Sequence, residues 1–214
     1  MQDLKKLHEI GEFALRLKVY KNTLILGFSL YLFGMLIAGS LIVVNSLIDM
    51  NLVNSQAALF SILLAIIVPT VLSVYIIVYV FRAAPVVSEK SEYWIASSSI
   101  PFAVIYAISS IYCPEILHVV WYLALGLSLL IASTLLETKW AKENKIWAKP
   151  YMLSGLLITF LSPAVIYLGL KVQTADPAYL ATGLTLIAFC ISGTYSIVKA
   201  ERGLIFERGA KKPS

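Results

Sequence analysis

Residues 151–170 read YMLSGLLITFLSPAVIYLGL, a stretch of 20 residues without Asp, Glu, Lys or Arg. A helix needs about 20 apolar residues to cross the hydrocarbon core of a bilayer. Lipid offers no hydrogen-bonding partner to the backbone, so a single segment of this kind crosses as an α-helix. A strand of a membrane β-barrel would alternate apolar and polar side chains, and this stretch does not. The stretch therefore predicts a transmembrane helix.

Five further stretches share these properties, and together they predict an all-α bundle of six transmembrane helices in three hairpins. The composition agrees, because only 14% of the 214 residues are charged, whereas soluble domains average about 25%. Spans three and four are separated only by Cys113-Pro114-Glu115, and a single long span is the rival interpretation. Pro114 suits the first turn of a new helix, which favours a tight hairpin. The predicted spans are 23–48, 57–81, 93–112, 116–136, 151–170 and 178–198.

The basic residues predict the orientation of the spans. Of the 17 Lys and Arg residues, all except Lys171 fall in the N-terminal arm, the loops after spans two and four, or the C-terminal tail. By the positive-inside rule these segments face the cytoplasm. We therefore expect a multi-pass protein of the cell membrane with both termini in the cytoplasm and no affinity for nucleic acid. The aromatic residues expected at the inner interface are Tyr93, Trp94, Trp140, Trp147 and Tyr151.

Residues 1–21 predict an amphipathic interfacial helix that precedes the transmembrane domain 22–198, and residues 199–214 form a basic tail. The basic residues of the arm lie mostly outside its apolar face, and Lys and Arg near a membrane attract anionic lipid of the inner leaflet. Docking of the arm on a cytoplasmic protein partner is the alternative. The apolar face comprises Leu4, Leu7, Ile10, Gly11, Ala14 and Leu17.

Two prolines, Pro101 and Pro163, interrupt spans three and five, and each precedes the string Ala-Val-Ile-Tyr. A proline inside a helix leaves the carbonyl four residues back without its donor, here on Ser97 and Thr159. Transporters build substrate sites from broken helices and nearby polar groups, although proline kinks also shape ordinary bundles. The predicted polar path comprises Ser97, Ser98, Ser99, Pro101, Tyr106, Thr159, Ser162, Pro163 and Tyr167.

Each predicted outer turn carries one carboxylate: Asp49, Glu115 and Asp176. Three hairpins could bring them into an acidic mouth that attracts cations. The alternative is that they serve helix starts, since Asp and Glu are favoured in the first turn.

The sequence contains no pattern typical of a known cofactor or metal site. Cys113, Glu115 and His118 carry donor atoms suited to a metal, but three mixed ligands without a second cluster favour an ordinary interfacial histidine. The two cysteines form no CxxC pair, and the sequence has no P-loop, dinucleotide glycine motif or nucleophile elbow. We therefore expect no metal and no cofactor.

These patterns predict a non-enzymatic integral membrane protein, with a small permease or transporter subunit as the first hypothesis. The spans lack Asp, Glu, Lys and Arg, which argues against a proton-coupled carrier. The architecture resembles that of small permease subunits at the level of fold, and fold does not give function. One alternative is a structural or assembly subunit whose basic cytoplasmic face docks a partner or anionic lipid, and another is a lipid-modifying membrane enzyme. Small residues four apart, such as Gly34 and Ala38, allow close packing within the chain or in a homo-oligomer.

The topology can be tested with single cysteines placed by Asn51→Cys and Lys142→Cys in a chain that lacks Cys113 and Cys190. We expect an impermeant maleimide to label the two positions from opposite sides of the membrane, because one lies in a predicted outer turn and the other in a predicted inner loop. Labelling is measured in intact and opened cells. Labelling of both positions from one side would contradict the assignment.

Overall fold

The computed structural model describes residues 2–49, 55–76, 79, 91–172 and 176–209, and this part of the chain is helical apart from short connections. Five of its helices contain stretches long and apolar enough to cross a membrane, and α2, the predicted second span, has 21 residues. An all-helical, multi-pass architecture is therefore confirmed, and the sixth crossing stays a prediction. The long helices are α1 (Gln2–Asp49), α2 (Ser55–Tyr75), α3 (Ser91–Tyr112), α4 (Val120–Lys142), α5 (Pro150–Lys171) and α6 (Asp176–Gly209).

The helices pack side by side, and each hairpin keeps its two helices together. α1 packs against α2 and α6, α5 packs against α6 and α4, and α4 packs against α3. The spatial order is therefore α2, α1, α6, α5, α4, α3. The two helices of each hairpin are neighbours because the connection between them is short, whereas α2 and α3 stand at opposite ends of this order. One consequence is that α4 lies between α3 and α5.

The turn between α3 and α4 confirms that spans three and four are separate helices. α3 ends at Tyr112, a 3-10 turn covers Pro114–Ile116, and α4 begins at Val120. Pro114 occupies the first turn of the short helix, as its missing N–H and fixed φ favour. The turn uses residues that the sequence assigned to span four, so α4 starts four residues later than predicted and ends beyond residue 136, at Lys142.

α4 and α5 approach closely because glycines lie at their interface. A Cβ atom added to Gly126 would lie 2.6 Å from Oγ1 of Thr159, and one added to Gly155 would lie 2.9 Å from the backbone nitrogen of Leu130. Small residues allow transmembrane helices this proximity, and dispersion contacts then hold them together. The close contact between α4 and α5 therefore depends on glycine, which has no side chain that would hold the two backbones apart.

α1 and α6 form the second close interface, again through small residues. A Cβ atom on Gly27 would lie 2.9 Å from the carbonyl oxygen of Gly193. The hydroxyl of Ser196 donates a hydrogen bond of 2.7 Å to the carbonyl oxygen of Thr23. Gly34, which the sequence offered for contacts within or between chains, packs against α6 of the same chain.

The predicted segment limits at residues 21 and 198 are not helix limits. α1 runs unbroken from Gln2 to Asp49, and α6 continues to Gly209. Neither limit is marked by a proline or a pair of helix-breaking residues, so helix propensity carries the chain through both. The division into arm, membrane domain and tail therefore rests on hydropathy alone, and the location of the arm at the membrane surface stays a prediction.

Replacing the interface glycines tests this packing. We expect Gly126→Ala and Gly155→Ala each to lower the free energy of unfolding by about 1–3 kcal/mol, because the added methyl group overpacks the interface. Gly183→Ala is the matched control, since a Cβ there meets nothing within 4 Å. Thermal unfolding of the purified protein in detergent gives the comparison. Equal midpoints for all three variants would show that α4 and α5 do not pack as described.

Candidate functional site

Three basic segments meet at one end of the helix row, which we call the basic end. They are the N-terminal part of α1, the loop 143–149 between α4 and α5, and the C-terminal part of α6. Exposed basic side chains come from each segment or from the helix end beside it. They include Lys18, Lys21, Lys139, Lys142, Lys199 and Arg202.

The loop 143–149 is held in place by contacts with α1 and α6. The side-chain amide of Asn22 donates a hydrogen bond of 3.1 Å to the carbonyl oxygen of Lys145, and the N–H of Trp147 donates one of 2.9 Å to Oγ1 of Thr23. The indole of Trp147 lies against Gly203 of α6, where an added Cβ would be 2.5 Å from the ring. Backbone groups of the loop are thus satisfied by α1, which fixes the loop across the helix ends.

α4 ends in a Schellman motif that directs the chain into this loop. Asn144 has a φ of 51°, the left-handed conformation that Asn tolerates better than most residues. The N–H of Lys145 donates to the carbonyl oxygen of Trp140 at 2.8 Å, and that of Asn144 to Ala141 at 3.1 Å. These are the two bonds that define the motif, and they satisfy carbonyls that the helix end leaves open.

Glu137 is a buried carboxylate that caps the first turn of α5. Its side chain is fully buried, Oε1 accepts the N–H of Tyr151 at 2.8 Å, and Oε2 accepts the N–H of Met152 at 3.0 Å. The residue at the N-cap of α5, Lys149, makes no side-chain capping bond. The first N–H groups of a helix need partners and favour negative charge, so Glu137 satisfies them from the neighbouring helix.

Glu137 is the last residue of a π-helical turn, Ser133–Glu137, inside α4, and polar side chains lie on both sides of it in sequence. The hydroxyl of Thr138 donates to the carbonyl oxygen of Ser133, and Nζ of Lys149 donates to the Thr138 hydroxyl, both at 3.2 Å. Turns of this kind widen a helix by one residue and occur often at functional sites. Thr138 directly follows the turn, so the ammonium group of Lys149 that binds its hydroxyl lies in the region of the buried Glu137 carboxylate.

Aromatic rings surround this polar group, and they belong to the set predicted at the inner interface. Trp140 is fully buried, and its ring centroid lies 6.0 Å from that of Trp94. The ring of Trp94 also meets that of Tyr151 edge-on at 6.2 Å. At the surface, Nζ of Lys139 lies 5.8 Å from the centroid of the Tyr93 ring. The aromatic residues thus form a packed cluster, with one lysine over an aromatic face.

The predicted polar path is divided between α3 and α5, with α4 between them. The hydroxyl of Ser97 donates to the carbonyl oxygen of Trp94 at 3.0 Å, and that of Ser162 to Ile158 at 2.7 Å, so each bonds its own helix. The Thr159 hydroxyl is buried against α4 at Gly126. These groups do not converge in the part of the chain that the structure describes.

The remaining members of the path are dispersed. Pro101 is buried and Tyr106 is half-buried, whereas Ser99, Pro163 and Tyr167 are exposed on the outside of the helices. The side chain of Ser98 lies outside the described residues. Exposure of Pro163 and Tyr167 places the second Ala-Val-Ile-Tyr string partly on the outer surface, in contrast to a shared interior path.

The predicted acidic mouth is described only at Glu115, which is exposed in the 3-10 turn. Asp49 ends α1 and Asp176 begins α6, but their side chains lie outside the described residues. Within the described residues, no three metal-ligating side chains stand together, and His118 is exposed. The acidic mouth therefore stays a prediction.

The residues that organise the basic end were not identified from the sequence. Glu137 lies just outside predicted span four, which ends at residue 136, and the sequence predicts no role for it. Asn22 and Thr23 lie at the predicted start of the transmembrane domain, again without a predicted role. The charged segment 137–149 contains two tryptophans that the sequence places at the inner interface, and because Trp is highly buried on average they also indicate that this segment packs against the helices.

Comparison with known proteins found no relative of this chain. No protein-family model matches the chain, and neither a curated protein nor a solved structure matches it. The function is therefore argued from the geometry of the basic end.

Removing the Glu137 carboxylate tests its capping role. We expect Glu137→Ala to lower the free energy of unfolding by about 1–3 kcal/mol, because buried N–H groups lose their acceptors. Amide exchange at Tyr151 and Met152 should accelerate, and Glu137→Gln, which keeps one acceptor oxygen, should fall between. Thermal unfolding and exchange followed by mass spectrometry measure both effects.

The matched control for this experiment is Glu143→Ala. Glu143 is exposed and pairs with Lys145 at 2.6 Å, and such surface pairs contribute at most about 1 kcal/mol. If Glu137→Ala behaved like Glu143→Ala in both measurements, the capping interpretation would be wrong.

Proposed function

We propose that the protein is a non-enzymatic structural subunit of a membrane complex, and that the basic end of this subunit binds the headgroups of anionic lipids. The observation that carries this proposal is the fixed position of the loop 143–149 across the ends of α1 and α6. Binding a ligand to a mobile loop costs free energy because the loop and its lysines lose conformational freedom. Around a fixed loop part of this freedom is already lost on folding, so the cost of binding is smaller. A fixed basic surface suits a polyvalent anionic partner.

Lipid fits this surface better than an acidic protein. The loop has seven residues, and its backbone is bound to Asn22 and Thr23 of α1, so its lysines stay close to the helix ends. Interfacial Trp and Tyr residues mark the level of the headgroups, and Lys139 lies over the ring of Tyr93 at that level. Lysine side chains near a membrane attract anionic lipid by about 1 kcal/mol each.

The contacts of the predicted polar path also favour a structural role over transport. Ser97 and Ser162 satisfy carbonyls of their own helices, as hydroxyls do in transmembrane helices that carry no substrate. A substrate site would need such hydroxyls directed into a common space, and α4 lies between the two helices. Transport stays a hypothesis without support from these contacts.

Lipid retention by charge variants tests the proposal. The double variant Lys139→Gln/Lys142→Gln removes two exposed charges from the basic end, and Lys171→Gln removes one from the opposite end as a control. Both are reconstituted in nanodiscs with equal amounts of phosphatidylcholine and phosphatidylglycerol. Native mass spectrometry then counts the bound lipids.

We expect the double variant to lose about 30-fold in affinity for phosphatidylglycerol at low salt, corresponding to two charges of about 1 kcal/mol each. The wild-type preference should weaken as salt increases, because exposed charges are screened. Lys171→Gln should retain the wild-type preference. Unchanged retention in the double variant, or an equal loss in the control, would reject lipid binding at the basic end.

A further inference from the structure

α1 carries a stripe of exposed residues that repeats every seven positions along the whole helix. The stripe comprises Leu7, Ala14, Lys21, Phe28, Met35 and Ile42. Met35 is 61% exposed and Ile42 is 54% exposed, whereas Leu26 and Leu30, on another face, are almost fully buried. In a straight α-helix a repeat of seven residues drifts by about 20° per repeat, so the stripe winds slowly around α1 and becomes one continuous face only when two helices supercoil with a left hand.

The stripe lies apart from the faces of α1 that pack within the chain. Thr23, Gly27 and Gly34 follow each other at intervals of four and seven residues and face α6. Phe28 and Met35 immediately follow Gly27 and Gly34, so they point about 100° away from that interface. A Cβ added to Gly39, between Met35 and Ile42, would meet nothing within 4 Å. At Gly39 the stripe therefore leaves room for the backbone of another helix to approach α1 closely.

α1 is too long for lipid to cover this stripe completely. Its 48 residues extend about 72 Å at about 1.5 Å per residue, whereas a bilayer with its headgroups is about 45 Å thick. Residues 12–26 contain no Pro, Gly or Ser, and sharp helix bends almost always require such residues or a π-turn. A straight α1 would carry the arm away from the membrane, in contrast to the interfacial position that the sequence predicts, and would leave Leu7 and Ile10, each 66% exposed, uncovered by lipid.

We propose that two copies of this chain pair in parallel through the stripe of α1. One occupant must cover apolar residues both inside and outside the bilayer, which requires a helix of matching length and direction. Copies of one protein insert in the same direction, so a second α1 meets both requirements and gives a closed two-fold interface. The seven-residue repeat is the repeat of parallel helix pairs that supercoil with a left hand.

Lys21 supplies a reason for a single register. It interrupts the apolar stripe where α1 reaches the basic end, and a polar residue at one such position specifies register and oligomeric state in helix pairs. Two stripes shifted by seven residues would place Lys21 against Ala14 or Phe28 and lose this alignment. This pairing does not rest on the proposed lipid binding.

Disulfide crosslinking of the full-length protein in native membranes tests the pairing. The background carries Cys113→Ser and Cys190→Ser, and single cysteines are introduced by Ala14→Cys and Met35→Cys. Leu15→Cys is the control in the arm, because Leu15 is 59% exposed but lies off the stripe. Phe160→Cys on α5, at a position 83% exposed, is the control for the apolar helices. Copper phenanthroline oxidises the thiols, and non-reducing gels report the dimer.

We expect covalent dimers at Ala14→Cys and Met35→Cys at several-fold the level of the two controls. Stepwise photobleaching of the fluorescently labelled wild-type protein, diluted into liposomes, should show two steps. Equal crosslinking at stripe and control positions would indicate random collision and overturn the proposal. Crosslinking of the arm to a different protein would overturn it as well, because the stripe would then belong to a partner. Absence of stripe dimers together with single-step bleaching would also reject it.

Discussion

The N-terminal turn of α5 begins inside the protein, and its N–H groups need acceptors that its own N-cap residue does not supply. Glu137 provides these acceptors from α4, with one carboxylate oxygen for each of two backbone amides. This constraint fixes the relative height of α4 and α5, and hence the level at which Gly126 and Gly155 meet the facing helix. The glycine interface and the position of the following loop both depend on that alignment.

The loop in turn joins the two halves of the structure. On one side it continues α4, which packs against α3 and α5; on the other its backbone is bound by Asn22 and Thr23 of α1. Thr23 therefore has two roles, since its hydroxyl accepts the loop amide of Trp147 and its carbonyl accepts Ser196 of α6. Few polar contacts thus hold the apolar helices in register, and dispersion contacts provide the remaining cohesion.

The sequence predicted the apolar segments of the helices, but not the full length of α1 and α6 or the polar contacts between helices. Apolar stretches such as 151–170 predict α5 almost to the residue, because the bilayer requires helices of that length. Pro114 correctly marked the turn between α3 and α4. Glu137 could not be found in this way, since its role depends on amides 14 and 15 residues away, and hydropathy alone ends the span before it. The polar path stays a prediction, and the prolines on which it rests do not specify which helices become neighbours.

The pairing of the first and last helices has a consequence for biosynthesis. Ser196 bonds the carbonyl of Thr23 across 173 positions of sequence, so α1 meets this partner only after the five following helices have been translated. Until then Asn22, Thr23 and Gly27 have no α6 or loop to contact, and α1 resides in lipid or in the insertion machinery with these groups uncovered. The packing of α1 is therefore completed only after the ribosome has released α6.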